Sequence, residues 1–196
     1  SSFLSRQESS SLLMIGTGAL APELIQAHSC VRNITQVFIW GRSPQKARAV
    51  KEALDLSAEC QAVEDYREVI SEVDIISCAT LSKEPLVFGD QLKPGQHVDL
   101  VGAYKTDMRE ADDEVMRRAT AVYVDTRMGA LSEGGDLVQA LASHALANSK
   151  IVAELADLAG GYPVHRADDQ ITVFKSVGAS IEDLAAAELC LSNRPS

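Results

Sequence analysis

Leu12-Leu13-Met14-Ile15-Gly16-Thr17-Gly18-Ala19-Leu20-Ala21 is a short apolar run that breaks into two glycines one residue apart and continues into a helical pattern. It reads as a strand, a tight turn and the start of a helix, the arrangement that cradles the pyrophosphate of a dinucleotide. Gly16 permits the turn, and Gly18 lets backbone N–H groups approach phosphate without an intervening Cβ. Ala21 stands where a third glycine often sits. Such a motif acquires meaning only where strands and helices alternate around it.

The alternation is regular. Leu20, Leu24, Ile25, Ala27 and Val31 recur at helical spacing and predict an amphipathic helix over 19–31. Val37-Phe38-Ile39-Trp40 is a second strand, closed by Gly41. Ser43-Pro44 then opens a helix, with serine as N-cap and proline at the first helical position, and Ala47, Val50 and Leu54 carry it on. Residues 58–63 predict a third strand, 65–72 a short helix and 73–78 a fourth strand. Further along, 97–101 is a strand ending in Gly102-Ala103, 109–119 a surface helix and 121–124 a strand. Gly134-Gly135-Asp136 marks a loop, with Asp136 capping a helix through Leu137, Val138 and Leu141. Residues 151–158 predict a helix, 171–174 the last strand and 181–191 an alanine-rich terminal helix. Six or seven strands so interleaved predict a Rossmann-type α/β fold, a doubly wound, mostly parallel sheet with helices on both faces. The chain, residues 1–196, reads as a single dinucleotide-binding domain, with a lead-in segment 1–11 and a C-terminal helix within 179–196.

Composition narrows the partners. Apolar residues make up 46% and charged residues 23%, the balance of an ordinary globular protein. A net charge of −10 argues against nucleic acid, whose binders gather Lys and Arg on one face. No apolar run approaches the roughly 18 residues of a membrane span and no signal peptide is visible, so a cytoplasmic protein with no membrane partner is expected. Cys30, Cys60, Cys78 and Cys190 lack metal or redox spacing and read mostly as buried packing thiols. His28, His97, His144 and His165 are scattered over separate elements, and no metal site is expected.

The second strand ends Ile39-Trp40-Gly41-Arg42-Ser43, without the acid that accepts the ribose hydroxyls of NAD. Arg42 can pair with a 2′-phosphate and Ser43 can hydrogen-bond to it, so NADP(H) is the expected cofactor, with NAD(H) possible. Cys78-Ala79-Thr80 and Val101-Gly102-Ala103 are strand ends built of small residues, as close approach of a cofactor requires. Glu110, Asp112, Asp113 and Glu114 read as a solvated, dipole-matched helix start. A chain so poor in nucleophile and acid–base patterns suits hydride transfer, where the nicotinamide supplies the reactivity.

Several segments together resemble the ornithine cyclodeaminase/μ-crystallin family. They are Gly16-Thr17-Gly18-Ala19-Leu20-Ala21, Val101-Gly102-Ala103 with Met108-Arg109-Glu110 and Asp112-Asp113-Glu114, Gly135-Asp136-Leu137, and a last block running from Ile171 through Gly178 and on to Glu182-Asp183-Leu184-Ala185-Ala186. The resemblance implies that Gly16, Thr17, Gly18, Ala19 and Leu20 hold the pyrophosphate, Arg42 and Ser43 the 2′-phosphate, and Ala79 and Thr80 the neighbouring ribose. It further implies that Val101, Gly102, Ala103, Ser176, Val177 and Gly178 flank the nicotinamide, with Tyr104 and Lys175 at a substrate pocket. Cyclodeaminases carry a general-base aspartate where this sequence has Tyr104, and a phenol of pKa near 10 serves proton traffic poorly. The expected activity is therefore NADP(H)-dependent reduction of a cyclic imino acid resembling Δ1-pyrroline-2-carboxylate. Ornithine cyclodeamination and non-catalytic NADPH binding stand as alternatives. The resemblance also implies a homodimer and an N-terminal substrate and dimerisation region ahead of this chain, without which turnover is not expected.

Overall fold

The computed structural model describes residues 1–192. Eight strands form one sheet: β1 (Ser11–Ile15), β2 (Gln36–Trp40), β3 (Glu59–Ala62), β4 (Ile75–Cys78), β5 (His97–Leu100), β6 (Ala121–Val124), β7 (Ile151–Glu154) and β8 (Thr172–Lys175). Their order is β3-β2-β1-β4-β5-β8-β6-β7, and every pairing is parallel. The helices are α1 (Leu20–Val31), α2 (Pro44–Ala53), α3 (Asp113–Arg118), α4 (Arg127–Ser132), α5 (Gly135–Ala142), α6 (Leu155–Ala159) and α7 (Ser180–Ser192). The order reverses between β1 and β4, the switch point at which open α/β sheets bind ligands.

The central strands explain the layering. All five residues of β1 are buried. Leu13 and Ile15 enter one core with Ile76, Leu100 and Val115, while Leu12 and Met14 enter another with Ile25, Val37 and Val50. Successive side chains point to opposite faces, so a strand covered by helices on both sides must be apolar throughout. Ser43 caps α2 as expected, its hydroxyl accepting from the Lys46 N–H at 3.4 Å with Pro44 next in line.

Several elements depart from expectation. Residues 151–154 form a strand and not the first turn of a helix, and only Leu155–Ala159 is helical. Ile151 and Ala153 point into the interior while β7 pairs with β6, and four residues are too few for periodicity to distinguish the two states. The helix expected over 65–72 is a single 3-10 turn, Tyr66–Glu68, started by the Asp65 carboxylate accepting from the Arg67 N–H. The helix expected over 109–119 is confined to Asp113–Arg118, because Ala111 bridges to Val87 in extended form. Only Cys78 of the four free cysteines is buried, and Cys30 and Cys190 are exposed. No helix among the described residues is long and apolar enough to cross a membrane. The lead-in folds back, Leu4 packing with Tyr123 and Leu158 while the Arg32 guanidinium donates to the carbonyls of Ser1, Ser2 and Ser5.

One polar group is buried beneath α1. The register of β4 and β5 sets Ser77 beside Asp99, and α1 brings His28 over both. The Asp99 carboxylate accepts from the Ser77 hydroxyl at 3.0 Å and meets the His28 Nε2 at 3.2 Å. Burial pushes this carboxyl up, but hydrogen bonding to His28 and the nearby imidazoles of His28 and His97 outweigh it and hold Asp99 at about 2. A depressed carboxyl stabilises the fold above its unfolded pKa near 4, and that contribution is lost as pH falls toward 2. The expected size is about 2 kcal/mol. Urea denaturation followed from pH 6 to pH 2.5 should show Asp99→Asn already weakened at pH 6 and less sensitive to acid than the parent; an identical acid slope would contradict this account.

Candidate dinucleotide site

The carboxyl end of β1 sets the geometry. Gly16 has φ of +127°, and a Cβ there would strike the Ala79 carbonyl oxygen of the neighbouring strand end. Its N–H donates to the Trp40 carbonyl at 2.8 Å, so the ends of β1, β2 and β4 are drawn together at one point. At Gly18, by contrast, an added Cβ would meet open space. Ala19 gives α1 no side-chain cap, which leaves the first turn to find acceptors elsewhere. An open approach to a helix N-terminus with uncapped N–H groups fits a phosphate group.

Around that point lies a cleft of about 560 Å³. Gly16, Thr17 and Gly18 form its floor, Arg42 and Ser43 one end, and Ala79 and Thr80 the opposite side. Seven of the expected cofactor residues thus line one cavity. Trp40, Gly41, Lys46, Leu81, Ser82 and Leu86 line it as well, and none of them was expected there. Lys46 lies in the first turn of α2, directly after the Arg42-Ser43 turn, and its place at that helix start is the signal that could have identified it. Among the described residues neither Arg42 nor Lys46 forms an ion pair. The far wall is fixed by aromatic packing. The Trp40 and Tyr66 rings lie 4.6 Å apart, Trp40 donates to the Glu64 carbonyl at 3.1 Å, and the Tyr66 hydroxyl donates to the Leu86 carbonyl at 2.6 Å.

Val101, Gly102 and Ala103 continue β5 beside this cleft and do not line it. Ala103 takes φ of +49°, turning the chain so that Tyr104 is partly exposed with the Lys105 ammonium 5.8 Å from its ring centroid. Ser176 follows β8, its N–H donating to the Leu100 carbonyl at 3.0 Å. Lys175 is not in an open pocket. It is fully buried, donating to the carbonyls of Leu100 at 3.4 Å and Gly102, with the Asp136 carboxylate 3.2 Å away.

The acidic segment differs from a solvated helix start. Asp112 caps α3, accepting from the Val115 N–H at 2.9 Å, and Asp113 pairs with Arg109. Glu110, however, is completely buried. Its Oε1 accepts from the Thr80 N–H at 2.6 Å and the Thr80 hydroxyl at 2.8 Å, and a Cβ on Gly102 would strike that same oxygen. Asp136 is not the cap of α5, a role that falls to Gly134. Its Oδ1 accepts from the Glu110 and Ala111 N–H groups at 2.7 and 2.9 Å, holding the extended segment against the cleft wall. The physical reason is charge: Lys175 pairs with buried Asp136, buried Glu110 feels both charges, and each of the three must find partners inside the protein. Burial and then the Asp136 charge push Glu110 up, while Lys175 and Thr80 oppose them, leaving it at about 7.

An all-parallel sheet with a glycine turn at its switch point and a cleft across three strand ends defines a Rossmann-type nucleotide-binding fold. The model of the ornithine cyclodeaminase/mu-crystallin family matches residues 1–194, and the chain belongs to that family. It is 40% identical over 189 residues to the Delta(1)-pyrroline-2-carboxylate reductase of Paracoccus denitrificans, covering 95% of this chain and 60% of that protein. It is 35% identical over 188 residues to the ketimine reductase mu-crystallin of Macropus fuliginosus, covering 95% and 56%. The structure of Thermococcus litoralis Delta(1)-pyrroline-2-carboxylate reductase in complex with NADH and L-proline superposes with a TM-score of 0.91 at 34% identity, over 96% of this chain and 59% of that one. The chain thus spans about three fifths of the length of these relatives.

A carboxyl raised in the folded state favours folding in its neutral form. That contribution is fully present below the unfolded pKa near 4.5 and is lost as pH rises through about 7. Between pH 5 and pH 8 the parent protein should lose about 3 kcal/mol through Glu110. Glu110→Gln should flatten this alkaline limb in thermal denaturation monitored by circular dichroism, and a limb unchanged by the substitution would exclude Glu110 as its source.

Proposed function

We propose that this chain is the cofactor-binding part of an NADP(H)-dependent reductase that converts a cyclic imino acid, of the Δ1-pyrroline-2-carboxylate class, to the corresponding cyclic amino acid. The observation that carries the cofactor choice is the pair of basic side chains, Arg42 and Lys46, at the β2 end of the cleft, without acidic partners among the described residues and beside the Ser43 hydroxyl. A carboxylate at that position would repel a 2′-phosphate, whereas a guanidinium and an ammonium attract it. The names of the relatives and the NADH and L-proline held by the Thermococcus litoralis enzyme support the substrate class.

In this reading Gly16, Thr17, Gly18, Ala19 and Leu20 hold the pyrophosphate at the start of α1, and Ala79 and Thr80 flank the adjoining ribose. Val101, Gly102, Ala103, Ser176, Val177 and Gly178 border the nicotinamide. When bound, the nicotinamide supplies a hydride for the carbon of the C=N bond. A cyclic imine whose nitrogen arrives protonated needs no general base, which suits Tyr104 in place of a carboxylate. Lys175 acts from within the protein, fixing the Leu100 and Gly102 carbonyls and so the strand end that carries Ala103 and Tyr104. The longer protein would be a cytoplasmic homodimer with the substrate carboxylate bound outside this chain, and the exposed Ile181, Leu184 and Leu189 of α7 offer apolar surface for such an interface.

Parallel titration with NADPH and NADH tests the reading. NADPH should bind at least about tenfold more tightly, and Arg42→Ala should weaken NADPH by about 10- to 100-fold, the worth of a charge-assisted hydrogen bond, while changing NADH less than about twofold. Equal affinities unaffected by the substitution would overturn the 2′-phosphate assignment.

A further inference from the structure

The β6 end carries a buried carboxylate that belongs to neither the cleft nor the Glu110 group. Asp125 follows β6 directly and is almost fully buried. Its Oδ1 accepts from the Thr126 N–H at 2.6 Å. Its Oδ2 accepts from the Val177 N–H at 2.7 Å, the Gly178 N–H at 2.8 Å and the Ser176 hydroxyl at 3.2 Å. One oxygen thus gathers three consecutive residues of the turn that follows β8, fifty-one to fifty-three positions away in sequence. From the other side, the Val177 methyls press on α4 at Gly129 and next to it at Gly134, where a side chain on either glycine would crowd them. The turn is fastened at both its backbone and its side chain.

The position of this turn gives the fastening a purpose. The cleft crosses the ends of β2, β1 and β4, and the sheet continues as β5 and β8. At about 4.8 Å per strand, the β8 end lies about 14 Å beyond the β1 glycines, on the side away from Arg42. An extended dinucleotide with its adenosine half over β2 and its pyrophosphate at β1 points its other half toward β5 and β8. We propose that Asp125 is a positioning residue, holding the Ser176, Val177 and Gly178 turn as a rigid stop for the nicotinamide half of the cofactor while having no part in binding the adenosine half. The inference rests on the nicotinamide-cofactor reading above.

Every partner of Asp125 is a donor, and this makes the test sharp. An amide presents oxygen on one side and N–H on the other, so Asp125→Asn must set a donor against either Thr126 or the turn. Each variant is compared with the parent in its binding of NADPH and of 2′,5′-ADP, together with the fluorescence of the bound reduced nicotinamide. Asp125→Asn should weaken NADPH by about tenfold, keep 2′,5′-ADP within about twofold and lose most of the nicotinamide fluorescence enhancement. Ser176→Ala, which removes one contact of three and is the milder change, should move the same readouts in the same direction by a smaller factor. Equal loss of both ligands in Ser176→Ala would mean a general structural role and overturn the proposal, as would unchanged NADPH binding and fluorescence in both variants. A parent protein that binds neither ligand would instead overturn the cofactor reading, and with it this inference.

Discussion

Everything in this molecule follows from the parallel pairing of its strands. Parallel neighbours need a crossover between them, and each crossover returns the chain to the same starting edge. All eight carboxyl ends therefore collect on one side of the sheet, and the loops that leave them share one edge. The change of direction between β1 and β4 opens a gap in that row, and Gly16 lets the two strand ends close around it without a side chain in the way. Residues from distant parts of the sequence meet there because topology brings these strand ends side by side.

The row of strand ends is held from beneath by buried charge. Glu110, Asp136 and Lys175 lie between the β4 end, the β5 end and α5, and each satisfies backbone groups that the loops would otherwise leave unmade. Replacing one member would strand the others, since a buried charge without its partner costs more than the pair contributes. Burial and the neighbouring Asp136 charge raise Glu110 to about 7, against the opposing pull of Lys175 and Thr80. Asp125 does for the β8 turn what Glu110 does for Thr80: a carboxylate accepts hydrogen bonds from loop backbone that has no strand to pair with.

Much of this was legible from the residues. The glycine pair after an apolar run, the Ser43-Pro44 helix start and the acid-free end of β2 are local signals, and each was found where the sequence placed it. The misreadings share a cause, which is that tertiary partners decide short segments. Ile151–Glu154 is a strand because β6 offers it an edge, and nothing within those four residues announces this. Glu110 and Asp136 look like ordinary polar residues at helix starts, and only the folded chain reveals that each meets a strand end from elsewhere. The family resemblance places Lys175 at a substrate pocket, whereas alternation along β8 turns its side chain inward onto Asp136. Lys46 gives little local signal, because a lysine in the first turn of a helix is commonplace and only the fold brings it to the β2 end of the cleft.

The aromatic wall of the cleft has an optical consequence. Trp40 is the sole tryptophan in the chain, and it lies in the cavity wall against Tyr66 with its indole nitrogen tied to the Glu64 carbonyl. All indole emission from this chain therefore originates at one point, in the wall of the cleft. A reduced nicotinamide absorbs where indole emits, so energy transfer from Trp40 would report occupancy without a label and with no second tryptophan to dilute the signal. The fold has placed a spectroscopic gauge in the wall of its cleft.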